Sequence, residues 1–435
     1  RLLWARGEDS RVERYWSPVV PENPTIDPEE AAEELRRLLL ESVRYRLISD
    51  VPLGAFLSGG VDSSSVVAAM TREMDRPVRT FSIGFDEAEF DEAKDAAAVA
   101  AALGTDHTEL TLRPDVEELF ENIVHVFDEP FADSSAIPTL LVSKLARQRV
   151  TVVLSGDGGD ELFGGYTRYR SFLRRNVSIP FPARQLLRSA ATRLPQGAYG
   201  RNRLLELSRG PWGRYASLVA QPLHMAEGGV AAEELAGAGP TLDELLAEWF
   251  GPTNGRDVLT QVMLVDAMSY LPGDILTKLD RTSMAVSLEA RVPLLDHRIA
   301  EFAFSLPSRF KIRGGRGKWI FHQAVREWLP EEVFRKPKHG FGIPLRIWFR
   351  NELRERCRTA LLRDSRLFEY VDPRAAARVV EEHEAGRRDH AGLLWRLLVL
   401  RTWLDSAAPA ASPATPHSIQ IPSALGLTAP PQGPG

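Results

Sequence analysis

Apolar residues along this chain follow two rhythms, and the order of those rhythms predicts a fold. Helical spacing comes first: "EEAAEELRRLLLESVRYRLI", Glu29 to Ile48, places apolar residues three and four apart, as one face of a helix requires. Short, nearly continuous apolar runs then alternate with further helical stretches. "VPLGAFLS" (51–58), "VRTFSIGF" (78–85), "HTELTL" (107–112) and "RVTVVLSG" (149–156) read as strands. Helices are expected from the first of these loops to about Met74, over 91–104 with Gly104 closing the helix, and near 114–127 and 135–148. Strands alternating with helices imply the α/β class, a parallel sheet with helices on both faces. Ligands of such sheets sit beyond the carboxyl ends of the strands, at a switch point in their order.

From Asp160 to about Asp405 the pattern is mostly helical, which suggests helices that pack on the sheet and wall its crevice. Three segments follow: a proline-rich, extended stretch over 1–28, one domain over 29–405, and a Pro, Ala and Ser-rich tail over 406–435 that is expected to be disordered.

Composition narrows the function. The chain has 435 residues, 44% of them hydrophobic, and a net charge of −5, so nothing global calls for nucleic acid or an anionic membrane. The arginine-rich stretch from Arg168 to Arg209 reads as a solvated helical surface. A single cysteine, Cys357, rules out a disulfide framework within the chain and fits a cytoplasmic location. Its place in a helical pattern without a nearby histidine reads as structural. "LLWRLLVLRTWL" (393–404) is broken by two arginines and reads as a packed helix rather than a membrane span.

Candidate chemistry begins at the end of the first strand. Ser58-Gly59-Gly60-Val61-Asp62-Ser63-Ser64 joins strand to helix, where glycines let the backbone approach an anion and the helix N-terminus favours phosphate. The serines offer hydroxyl donors. Asp62 would repel phosphates unless a cation bridges them, and Mg2+ held by one or two carboxylates plus phosphate oxygens does so. The lysine of a GxxxxGK[ST] loop is missing. The plainer alternative is a serine cap after a glycine turn. A second turn, "VVLSGDGGDELFGGY" (152–166), puts Asp157, Asp160 and Glu161 at another strand's carboxyl end. Asp160 could complete a Mg2+ site with Asp62, and Asp157 could take a proton from an attacking amine.

The first loop resembles the PP-loop of N-type ATP pyrophosphatases. Together with "SGDGGDELFGGY", "DEPFADSSAIPTLLVSKLAR" (128–147), "EARVPLLD" and "FRKPKHGFGIPL" (334–345), the chain from about 12 to 405 resembles the synthetase domain of glutamine-hydrolysing asparagine synthetases. The resemblance implies cleavage of ATP between α- and β-phosphates and formation of β-aspartyl-AMP, which ammonia converts to asparagine. It also explains the missing lysine, since the γ-phosphoryl group is not transferred.

Carried over position by position, the resemblance implies that Ser58, Gly59, Gly60, Asp62, Ser63 and Ser64 hold pyrophosphate and Mg2+. Leu57 and Ile83, at strand ends, would present backbone groups to adenine, Gly156 would line the nucleotide pocket, and Asp160 would be the second metal carboxylate. Asp157 and Lys338 would be catalytic, with Lys336 an alternative to Lys338 as the cation facing the transition state. Lys278, Asp280 and Arg281 are expected to face the crevice, and Glu289 and Arg291 to form a buried supporting ion pair. Residues 1–28 would be the linker from a glutaminase domain not included in the chain, with that domain or a partner supplying ammonia, and a homodimer is expected. Family members often carry glutamate where Asp157 stands. Two rivals remain: a related amidotransferase or cyclase that adenylates another carboxylate, and a catalytically inactive nucleotide-binding subunit.

Overall fold

A computed structural model describes residues 2–4, 9–85, 92–112, 116–175, 179–194, 200–219, 230, 249–253, 255–335, 342–363 and 365–406. Two short antiparallel strands, β1 (Leu2–Leu3) and β2 (Arg11–Val12), precede the first helix, α1 (Pro28–Arg46). Asp27 caps α1 by accepting the Glu29 N–H, and Glu29 and Glu30 lie in its first turn, where the helix dipole favours negative charge.

The alternating pattern then forms as expected: β3 (Leu53–Phe56), α2 (Val61–Glu73), β4 (Arg79–Phe85), α3 (Ala93–Leu103), β5 (Asp106–Leu112), α4 (Val116–Val126), α5 (Ala136–Arg147) and β6 (Val152–Leu154). Gly104 ends α3 in the left-handed conformation, at φ 66°. A fifth strand, β7 (Glu289–Arg291), was not legible as one. The sheet order is β5-β4-β3-β6-β7 with parallel pairing throughout. The chain steps outward from β3 to β4 and β5, then returns to place β6 on the other side of β3. The switch point therefore lies between the carboxyl ends of β3 and β6.

Alternate side chains of each strand enter opposite cores. Leu53, Ala55, Val152 and Leu154 pack with α1, α2, α3 and the helices Val258–Met268, His297–Ser305 and Trp319–Val325. Phe81, Ile83 and Val153 pack with α4, α5 and the carboxyl-terminal helices Pro373–Glu384 and Ala391–Ser406. The last of these contains the 393–404 run, buried at Leu393, Leu394, Trp395, Leu397, Leu398 and Val399, and among the described residues no helix is long and apolar enough to cross a membrane. Cys357 is buried and burial pushes its thiol up to about 12, which makes it a packing residue. Before α1, the segment 16–24 is tied to the helical wall: Asn23 N–H donates to Ser305 O at 2.8 Å, and Trp16 Nε1 donates to Glu301 at 2.7 Å. Residues 407–435, and so nearly all of the expected tail, lie outside the described residues.

Candidate active site

The loop after β3 is closed by its own serines. Ser58 N–H donates to Ser63 Oγ at 3.2 Å, the Ser58 and Ser63 hydroxyls are 3.0 Å apart, and Gly60 O accepts the Ser64 N–H at 3.0 Å. Gly59 takes φ 75°, a conformation glycine adopts without cost. The result is a shallow cup at the N-terminus of α2, where backbone N–H groups favour an anion. Ser64 is fully buried, and its Oγ has no hydrogen-bond partner among the described residues.

The loop after β6 leans on the same helix turn. A Cβ on Gly156 would lie 2.5 Å from Ser63 N and one on Gly159 2.6 Å from Asp62 Cγ, so only bare backbone lets the two loops meet. Ser155 N–H donates to Arg291 O at 2.8 Å, which ties the loop to β7. The chain then enters α6 (Gly159–Phe163), whose first turn carries Asp160 and Glu161. Ser155 Oγ donates to Asp157 Oδ2 at 2.5 Å. Glu161 is buried, and burial together with Asp160 pushes its carboxyl up to about 7; Tyr166 Oη donates to it at 2.6 Å.

The decisive side chain comes from far along the chain. Lys318 Nζ donates to Asp62 Oδ2 and pairs with Asp160 Oδ1 at 2.7 Å, joining the two acids. Burial opposes its charge, but Asp160 and Asp62 outweigh burial and hold the ammonium above the usual lysine range. Lys318 caps the helix Trp319–Val325 with φ 56° and ψ 28°, and its N–H donates to Phe163 O at 2.9 Å. A left-handed non-glycine residue costs about 1–2 kcal/mol, and such strain concentrates at functional sites.

Asp62 and Asp160 supply hard oxygens at one point, and substrate phosphates and water could complete the shell that Mg2+ prefers. Among the described residues no group of three or more His, Cys, Asp and Glu side chains could hold a metal unaided. The residues fit a cation that arrives with a polyphosphate.

A family model described as asparagine synthase matches residues 34–405. The chain belongs to the asparagine synthase family. It is 34% identical over 384 residues to asparagine synthetase [glutamine-hydrolyzing] 1 of Bacillus subtilis, covering 87% of this chain and 60% of that protein. A second B. subtilis protein, asparagine synthetase [glutamine-hydrolyzing] 3, is 27% identical over 343 residues, 75% of this chain and 51% of its own length. Amidase chyE of Penicillium rubens is 26% identical over 434 residues, covering 88% of this chain and 63% of the amidase.

Within this asparagine synthase domain the expected residues divide. Ser58, Gly59, Gly60, Asp62, Ser63, Gly156 and Asp160 converge at the switch point, and Asp157 sits on the same β6 loop. The β3–β4 ladder ends with Phe56 opposite Phe81 and the Leu57 N–H on Phe81 O, at 2.9 Å. The sheet thus takes up Leu57's N–H. Ile83 lies inside β4 rather than at its end, yet on the part that projects past β3. Lys338 and Lys336 lie outside the described residues.

The expected wall is corrected in two places. Lys278 does turn inward, donating to Asp133 Oδ2 and Ser135 Oγ at 2.8 Å each, but Asp280 and Arg281 are exposed, Arg281 pairing with Asp128. Glu289 and Arg291 do pair, at 2.6 Å, but not in a buried setting: Glu289 is exposed, and Arg291 spends its other donors on Arg46 O and Ile48 O. Arg168, expected on a solvated surface, is instead locked to buried Asp266 at 2.7 Å. Lys318 was missed because no spacing rule links a lysine to an aspartate 256 positions away.

Proposed function

We propose that this asparagine synthase domain amidates aspartate to asparagine at the expense of ATP, releasing AMP and pyrophosphate, with ammonia as the nitrogen donor. The convergence of Asp62, Asp160 and Lys318 beyond the carboxyl ends of β3 and β6 carries this reading. A carboxylate is a poor acyl donor, and adenylation supplies its leaving group. The cup from Ser58 to Ser63 binds the β- and γ-phosphates, the backbone at Leu57 and Ile83 receives adenine, and Gly156 lines the pocket. Asp62 and Asp160 would hold Mg2+, which when bound neutralises the departing pyrophosphate.

The substrate's side-chain carboxylate oxygen forms a bond to the α-phosphorus as the bridge to the β-phosphate breaks. Lys318 holds the two acids of the site, and Lys338, with Lys336 the alternative, is the cation proposed to face the charge that grows there. Ammonia then forms the C–N bond, the C–O bond to AMP breaks, and Asp157 accepts the proton released from nitrogen. The chain spans about 60% of the length of its B. subtilis relative, so ammonia supply by a glutaminase domain or subunit and assembly as a homodimer belong to the proposal.

A second reading, in which another carboxylate is adenylated, is favoured by the similarity to an amidase over most of this chain. ATP–pyrophosphate exchange over a panel of carboxylates, followed by AMP release with ammonium as donor, separates the two. Aspartate is expected to support exchange and to yield asparagine. Exchange with another acid and none with aspartate would overturn asparagine synthesis.

A further inference from the structure

Residues 167–219 carry eleven arginines and a single acid, Glu206, in a chain whose net charge is −5. They form four helices after α6: α7 (Thr167–Arg175), α8 (Phe181–Arg193), α9 (Arg201–Ser208) and α10 (Pro211–Val219). The outer two are anchored, α7 burying Tyr169 and Phe172 and α10 burying Tyr215. The inner two pack on each other and scarcely enter the core. Of the 13 residues of α8 only Ala191 is buried, and none of the described side chains of α9 is.

One acid cannot offset these arginines. Arg168 is spent on Asp266, Arg170 donates to Gly315 O at 2.9 Å, and Arg203 takes up Glu206 at 2.8 Å. Arg174, Arg175, Arg188 and Arg193 are exposed and form no salt bridge among the described residues. Arg184 lies over the Phe181 ring, its Cζ 5.5 Å from the centroid. Its Nε, like that of Arg201, is buried without a hydrogen-bond partner among the described residues.

The outward side of α8 adds apolar surface to this charge. Phe181 is 62% exposed and Leu186 72%. Seven residues make about two helical turns, so Phe181 lines up with Arg188 and Leu186 with Arg193. Each row sets a large apolar side chain beside an arginine. A nucleic-acid backbone would use the arginines and leave Phe181 and Leu186 in water, whereas a bilayer with anionic headgroups engages both.

We propose that the α8–α9 hairpin and the end of α7 dock this protein on an anionic lipid surface. Arg174, Arg175, Arg188 and Arg193 face the headgroup phosphates, and Phe181 and Leu186 enter the boundary with the acyl chains. The contact is peripheral, since no described helix is long and apolar enough to cross a membrane. Each arginine near such a surface raises affinity about fivefold, and the attraction fades beyond about 10 Å at 0.1 M salt. Docking of this kind does not depend on the reaction proposed above.

Co-sedimentation of the full chain with vesicles tests it. Vesicles of phosphatidylcholine mixed with phosphatidylglycerol are expected to carry the protein down and vesicles of phosphatidylcholine alone are not, and added salt should release it. Arg188→Gln with Arg193→Gln should weaken binding by about 25-fold, and Phe181→Ser with Leu186→Ser by about 10-fold. Arg188→Lys with Arg193→Lys keeps the charge and should bind within about twofold of the unaltered protein. All four positions are exposed, so the urea midpoint and ATP–pyrophosphate exchange should not change in any of these variants. No sedimentation with anionic vesicles, equal sedimentation with neutral ones, or binding that only one of the first two pairs weakens would overturn the proposal. Retention of a DNA duplex, or a dimer that Phe181→Ser with Leu186→Ser dissociates, each without vesicle binding, would overturn it in favour of nucleic acid or a second copy.

Discussion

Lys318→Met removes one ammonium and leaves two carboxylates of the switch-point crevice facing an apolar thioether. Methionine is unbranched and of similar length, and the left-handed backbone at φ 56° strains both residues alike, so the comparison isolates the charge. At the 2.7 Å separation from Asp160, with an effective dielectric of about 20, the attraction in one pair is about 6 kcal/mol before desolvation is subtracted. Loss of one partner from a buried pair typically costs about 3–5 kcal/mol, because the remaining charge stays desolvated. We expect that loss in the urea midpoint at pH 7. The folded pKa of Lys318 lies above its ordinary 10.5, so its contribution is fully present below 10.5 and is lost only as pH rises through the higher folded value. The gap between the two proteins should therefore stay flat over about pH 6 to 9.

A second readout separates charge from packing. With the ammonium gone, Asp62 and Asp160 should accept a divalent cation more readily, so added Mg2+ should stabilise Lys318→Met more than the unaltered protein. ATP–pyrophosphate exchange should fall by about 10²- to 10³-fold, the usual consequence of disturbing a preorganised site that stabilises transition-state charge. An unchanged urea midpoint together with undiminished exchange would refute the role of Lys318 at both levels.

Gly156→Ala should force the two loops apart, since its Cβ would lie 2.5 Å from Ser63 N, and exchange should drop by about 10²-fold. Gly104→Ala is the control: at φ 66° with nothing within 4 Å, it should cost about 1 kcal/mol in thermal unfolding and leave exchange intact. Lys311 is fully buried, its Nζ donates to Leu306 O at 2.8 Å, and burial pushes it down to about 7. A depressed folded pKa gives stability that is present above 10.5 and lost as pH falls towards 7. Lys311→Met should therefore be more stable than the unaltered protein by about 2 kcal/mol at pH 8, with the gap closing towards pH 10.5; a gap that widens instead would refute the assignment.

Four of the five parallel strands and the helices between them were legible from local patterns: β3, β4 and β6 carry apolar runs that are buried, and β5, at the sheet edge and only partly buried, carries threonines in a strand-like run. The strand Glu289–Arg291 was not, because its three residues include two charges. It sits at the sheet edge, where Glu289 stays exposed and Arg291 satisfies backbone carbonyls of residues 46 and 48. The same property misled the reading of that pair as buried: two like-facing residues on an edge strand can pair without leaving water. The loops after β3 and β6 were legible through their glycines, since a backbone that must touch another backbone tolerates no Cβ.

Two glycine turns, distant in the chain and in close contact in the fold, hold Lys318 and hide it from a local reading of the sequence. Its neighbour Gly317 could not carry a Cβ, which would lie 2.3 Å from Gly164 O, and a Cβ on Gly165 would lie 1.9 Å from Asp160 Oδ1 and 2.2 Å from Lys318 Cε. The glycines of "ELFGGY" and "GGRGKW" are thus two halves of one close crossing, and the left-handed turn at Lys318 sends its side chain down that crossing to the acids. Read singly, each half is an ordinary glycine turn. Through this crossing the ammonium of Lys318 reaches Asp62 and Asp160 from outside the loop after β3. A lysine introduced into the loop should therefore not rescue Lys318→Met, since it would enter the cup and leave the acid pair unpaired.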